Sequence, residues 1–181
     1  KILIKGTSDF FGLNHYTTMF AAQANDTKKE GSIYGNGGIS EDQDVDLSLD
    51  ENWKLTLMQW AVVPWGCKKL LKWIDERYDH PEIYITENGC AYPDEKINGD
   101  VNDQERLDFY KGYLEASQEA IDEGVNLKGY FAWSFMDNFE WASGYDKRFG
   151  LHYVDFETLE RTPKKSALWF REVMANNSVD L

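Results

Sequence analysis

Three times along this chain a short β-prone run leads into a loop and then into a stretch with helical spacing. That alternation restricts the fold more than any other feature of the sequence. The β-prone runs are residues 10–16, 83–86 and 127–133, and no proline falls inside any of them. Pro64 suits the first position of a helix, and Leu70, Leu71, Ile74 and Tyr78 follow at helical spacing until Asp79-His80-Pro81 ends it. Asn102 and Glu105 form a capping pair for a second helix. Its apolar stripe is Leu107, Tyr110, Leu114 and Ile121, and Gly124 stands where it should stop. Thr162-Pro163 opens a third helix, with Ala167, Leu168, Phe170, Val173 and Met174 on its inner side.

Sequential βα units imply an α/β fold, a parallel sheet joined by right-handed crossovers. The long loops follow the strands, and the loops after helices are short. This asymmetry puts the elaborated face at the carboxyl ends of the strands, as in a (β/α)8 barrel. A small doubly wound sheet is the alternative. It would carry a phosphate-binding Gly-x-Gly-x-x-Gly turn, a spacing that Gly35-Asn36-Gly37-Gly38 lacks. Residues 17–52 show no lasting periodicity and read as one long loop, and a hairpin is expected near residues 151–156.

Composition narrows the function. A net charge of −13 argues against nucleic acid and anionic membrane as partners. Much of that charge lies in residues 41–51, expected to be a solvated loop. No stretch approaches the length of a membrane span. Cys67 and Cys90 are too few for a disulfide scaffold and are expected to stay unpaired with each other. The three histidines are scattered, so neither a metal nor another cofactor is implied. With no initiator Met and no signal segment, the chain is expected to begin within something longer or after processing. Triplets at Asn25 and Asn176 match the glycosylation acceptor pattern, which favours a secreted or digestive-lumen protein, with a cytoplasmic one left open.

Candidate chemistry gathers at the strand ends. The middle run closes on Glu87 before Asn88-Gly89 turns the chain. Asn14 and Tyr16 end the first run, and Trp133 and Ser134 end the third. In a barrel these residues converge on one pocket. A phenol beside a carboxylate can hold it and favour its charged form, as a nucleophile requires. Asp137-Asn138-Phe139-Glu140-Trp141 adds a second carboxylate beside an indole, a pairing suited to sugar hydroxyls and sugar faces.

These residues resemble glycoside hydrolase family 1, the group of β-glucosidases, lactases, myrosinases and klothos. Tyr84-Ile85-Thr86-Glu87-Asn88-Gly89 is similar to its nucleophile signature. Gly129-Tyr130-Phe131-Ala132-Trp133-Ser134, the 137–142 segment, Gly144-Tyr145 and Arg148-Phe149-Gly150-Leu151 follow at the family's spacing. Val63-Pro64-Trp65-Gly66 and the 11–16 strand resemble animal members. The resemblance covers nearly the whole chain. It implies that residues 1–181 are the carboxyl-terminal part of one barrel, strands six to eight with their helices, about the last three-eighths of it.

The resemblance also implies roles. Glu87 would be the nucleophile of a retaining β-glycosidase, with Tyr16 orienting it and Asn14 beside it. Trp133 would floor the sugar subsite, Glu140 and Trp141 would read its 4- and 6-hydroxyls, and Phe149 would close that end. Trp60 would form a plate for the leaving group. The family's acid/base sits in a Thr-x-Asn-Glu-Pro motif, and no Asn-Glu-Pro occurs in these residues. The implied partners are a β-glucoside or oligosaccharide and the amino-terminal part of the same enzyme, or self-association as a homo-oligomer. That missing position leaves open a klotho-like binding module or a thioglucosidase. The Ser, Lys and Tyr set of phosphosugar hydrolases is absent from the last loop.

Overall fold

The computed structural model describes residues 3, 6–24 and 45–179. In chain order the elements begin with strands β1 (Phe11–Asn14), β2 (Phe20–Gln23) and β3 (Val45–Ser48). Helix α1 (Pro64–Arg77) and strand β4 (Ile83–Asn88) follow. The hairpin strands β5 (Lys96–Ile97) and β6 (Asp100–Val101) lead into helix α2 (Gln104–Asp122) and strand β7 (Leu127–Ala132). A 3-10 turn (Trp141–Ser143), strands β8 (His152–Val154) and β9 (Arg161–Pro163), and helix α3 (Lys165–Asn176) complete the chain.

The framework is a parallel sheet in the order β1–β4–β7. Each of its strands opens a βα unit, as the alternation in the sequence predicts. Ile83, Ile85 and Leu13 point to the helix side, where Leu71, Ile74, Phe109, Tyr110, Tyr113 and Phe170 complete the core. Successive strand residues face opposite sides, so Tyr84 and Thr86 lie on the other face with Phe10 and Phe131. Those four line an open groove of about 310 Å³. Phe10 is 52% exposed and Phe131 58%. Ile85 lies fully buried under the helices, because it is one residue out of phase with Tyr84 and Thr86.

Several local expectations are corrected. Residues 17–52 are not all loop, because β2 pairs antiparallel with β3. Residues 45–48 of the acidic run are therefore a strand, and residues 41–44 lie outside the described residues, as does the Asn25 triplet. Asn176 ends α3, and its amide donates to the Glu172 carbonyl. Pro64 does start α1, but Asn102 does not cap α2. Asp103 holds that position, its carboxylate turned to Arg106 and Ser166, while Glu105 pairs with Lys54 at 3.1 Å. Ile121, Leu168 and Met174, expected to face the core, are exposed.

The expected hairpin exists, but its return arm is β9, pairing His152 with Pro163. Thr162-Pro163 therefore belongs to a strand and α3 begins two residues later. A strand tolerates proline where its missing N–H is not needed by a neighbour, and β9 pairs with β8 alone. Cys67 and Cys90 are free, buried thiols within one core cluster. Burial pushes the Cys67 thiol up to about 12.

Candidate active site

The carboxyl ends of β1, β4 and β7 lie side by side, and the site is built on them. The ladder slips at Leu13/Asn14 and again between Ile85 and Asn88, so Asn14 is the register partner of Glu87. Asn88 secures this irregular stretch. Fully buried, it donates from Nδ2 to the His15 carbonyl at 2.7 Å and accepts from the Tyr130 hydroxyl at Oδ1. It thus joins β4 to the strands on either side of it. Its own carbonyl accepts the Trp133 N–H at 2.7 Å.

Gly89 then has to be glycine for lack of space. A Cβ there would lie 1.7 Å from the Trp133 carbonyl oxygen. Tyr110 reaches up from α2 and donates to that same carbonyl at 3.0 Å. The Trp133–Ser134 peptide is cis.

Glu87 emerges from this frame half-buried. The Tyr16 hydroxyl donates to its Oε2 at 2.6 Å. Burial raises the phenol's pKa most, and the bond to Glu87 and the charges of Glu87 and Glu140 raise it further. Tyr16 therefore stays protonated, and a donor, at neutral pH. Its ring lies 5.3 Å from that of Trp60 and packs edge-on against Phe149 at 6.2 Å. Asn14 stands next to Glu87 in register, but its side chain accepts from Thr86 at 2.7 Å.

Glu140 joins the group from the loop after β7. The Trp133 indole, whose nitrogen can only donate, favours the charged form of its carboxylate. Burial raises the Glu140 pKa most, the indole opposes that, and the negative charge of Glu87 adds to the rise. Trp141 follows on the 3-10 turn and is 79% exposed, an open aromatic face next to Glu140. Phe149 is different from the wall expected of it. At 1% exposure it stands behind Tyr16 and Trp60, which present the surface.

One carboxylate oriented by a phenol, a second whose charge an indole favours, and an open indole beside them make a surface for a polyhydroxylated ring. Seven of the eight site residues expected from the sequence, Asn14, Tyr16, Trp60, Glu87, Trp133, Glu140 and Phe149, are linked here by bonds, register or ring packing, and Trp141 adjoins Glu140. The sequence reading missed Asn88, Tyr130 and Tyr110, whose only signal was that polar atoms in buried runs need partners. Among the described residues no cluster of His, Cys, Asp and Glu could hold a metal.

Comparison with known proteins gives a consistent set of relatives. A model described as Glycosyl hydrolase family 1 matches residues 1–179. Beta-glucosidase 42 of Arabidopsis thaliana is 40% identical over 184 residues, covering 96% of this chain and 36% of its own length. A 6-phospho-beta-galactosidase of Streptococcus mutans is 39% identical over 181 residues, covering 97% of this chain and 39% of its own. The family 1 β-glucosidase structure from Thermotoga maritima superimposes with a TM-score of 0.82 at 40% identity, over 96% of this chain and 36% of that one. The same enzyme in complex with methyl acetic acid-substituted glucoimidazole gives 0.81, over 95% and 36%. The chain thus spans little more than a third of the length of these relatives, and its parallel strands and helices match part of a (β/α)8 barrel.

Proposed function

The chain belongs to glycosyl hydrolase family 1, and from that premise we propose that it supplies strands six to eight of a retaining β-glycosidase acting on β-glucosides. The observation that carries this reading is the 2.6 Å bond from Tyr16 to Glu87 at the end of β4. A nucleophilic carboxylate must be ionised and aimed, and a phenol that stays protonated serves both needs. Glu87 attacks the anomeric carbon and the leaving oxygen departs with a proton, giving a glycosyl-enzyme that water then hydrolyses.

The proton comes from a second carboxylic acid about 5 Å from the nucleophile in retaining enzymes. Glu140 has a raised pKa, but its indole partner favours the charged form, so we assign it to reading sugar hydroxyls, with Trp141 beside it. The acid/base is assigned to a complementary amino-terminal barrel portion, which also covers the groove lined by Phe10, Tyr84, Thr86 and Phe131. Trp133 and Trp60 serve the sugar and leaving-group sides. The likeness to a 6-phospho-beta-galactosidase shows that family membership alone does not choose the sugar. A carboxylate at Glu140 repels a phosphate, which favours an unphosphorylated ring.

The test compares residues 1–181 with the complete polypeptide that carries them, reading solution mass and hydrolysis of an aryl β-glucoside. The complete polypeptide should turn over, and the isolated chain should not, because loss of proton donation alone costs about 10²–10⁴-fold. Turnover by a soluble monomer of residues 1–181 would overturn the assignment of the acid/base.

A further inference from the structure

Beneath the loop that carries Glu140 lies a set of charges that the proposed chemistry leaves unused. Lys164, the residue before α3, is 0% exposed, and lysine is rarely buried so completely unless paired. Its ammonium lies 2.5 Å from Asp94 and 2.8 Å from Asp137. Arg106 grips Asp94 with two bonds of 2.9 and 3.1 Å and Asp103 with one of 2.6 Å. Arg148 pairs with Asp137 at 2.7 Å. Three carboxylates are thus matched by three cations.

The two carboxylates that Lys164 joins sit at the feet of the two loops that matter. Asp94 lies on the loop that leaves β4 after Glu87. Asp137 closes the neck of the loop that bears Glu140. Its Oδ1 accepts the Gly150 N–H at 2.9 Å, and its own N–H donates to the His152 carbonyl at 3.0 Å. A Cβ on Gly150 would lie 2.1 Å from the Asp137 nitrogen, so the neck has no slack. At the tip, the Glu140 N–H donates to the Gly144 carbonyl at 2.7 Å, which tightens the turn. A loop closed at neck and tip carries a shift at Asp137 through to Glu140, three residues on.

We propose that Lys164 is a positioning residue that ties the Glu140 loop to the loop after the nucleophile strand and so sets where Glu140 stands relative to Glu87. This rests on the roles given to Glu87 and Glu140 above. Simple structural support would lower stability but leave the choice between substrates alone. Positioning predicts a change in that choice.

The test uses the complete polypeptide. Lys164→Met leaves the cluster one negative charge in excess, and breaking a buried pair is strongly destabilising. The double variant Asp94→Asn/Lys164→Met restores balance, with two carboxylates against two guanidinium groups, while removing the tie. On an aryl β-glucoside its kcat/KM should fall about 10- to 100-fold, the scale of a displacement near 1 Å. On the 6-deoxy analogue, which lacks one hydroxyl that Glu140 reads, the fall should be smaller. In a Glu140→Ala background the same double change should have little further effect, since residues acting through one another are not additive. A folded double variant with the parent preference between the two glycosides, or an equal loss with and without Glu140, would overturn the inference. An active parent beside such a variant leaves the proposed function standing, whereas an inactive parent overturns both.

Discussion

The two faces of the β1–β4–β7 sheet differ in how completely they are built. On the helix side Ile83 and Ile85 are sealed under α1, α2 and α3. On the other side Phe10 and Phe131 stand half exposed over an open groove, and β1 and β7 have no neighbour beyond β4 among the described residues. One strand, β4, contributes alternate residues to both faces and ends in Glu87. The frame that holds Glu87, the proposed nucleophile, is therefore packed from behind, while the ground in front of it is open.

Substitution on each face sharpens this contrast most. Ile85→Ala in residues 1–181 should cost about 2–5 kcal/mol, the usual result of emptying a packed core position. Phe131→Ala in the same chain should change stability by no more than about 0.5 kcal/mol, as at other surface sites. In the complete polypeptide Phe131→Ala should cost about 3–5 kcal/mol if the groove is covered there. Chemical denaturation of the three variant proteins reads all of these, and a small effect of Phe131→Ala in both contexts would break the comparison.

Next in size is Glu140, on the open side. In the complete polypeptide Glu140→Ala should remove about 2–4 kcal/mol of transition-state stabilisation for sugars with free 4- and 6-hydroxyls. Steady-state kinetics on glucosides, 6-deoxyglucosides and 4-epimers should show unequal losses. Equal losses across the three would remove Glu140 from the role of hydroxyl reader.

The smallest effect tests the sealed side. His15 is buried against Tyr113, and burial lowers its pKa from 6.5 to about 4. Between those values the unfolded chain binds a proton that the folded chain refuses, so stability falls as pH drops from about 6.5 to 4. Below that window the contribution no longer changes. The effect should be of order 1–3 kcal/mol. His15→Gln should flatten the denaturation profile across this range, and an unchanged profile would show that His15 is not held neutral.

The order of elements could be read from the sequence because it rests on local signals. Pro64 at a helix start, Gly124 with φ +99° after α2 and the alternation around Ile83 and Ile85 each act within a few residues. The site residues were found through motif spacing. What escaped were features set by distant partners. Asp103 takes the cap position of α2 while serving Arg106 and Ser166, and Lys164 is buried by Asp94, 70 residues away. Such pairs leave no periodic trace. Thr162-Pro163 carries a sound helix-start signal that pairing with β8 overrides. The β2–β3 ribbon is exposed along most of both strands and so lacks the half-buried alternation that marks a strand.

Covalent trapping tests the assignment of Glu87 most directly. The complete polypeptide is incubated with a 2-fluoro glycoside that forms the glycosyl-enzyme but releases it slowly, then digested and mapped by mass. The label should lie on the peptide containing Glu87, and Glu87→Gln should be folded, inactive and unlabelled. Label on a peptide without Glu87, or turnover that survives Glu87→Gln, would contradict the account.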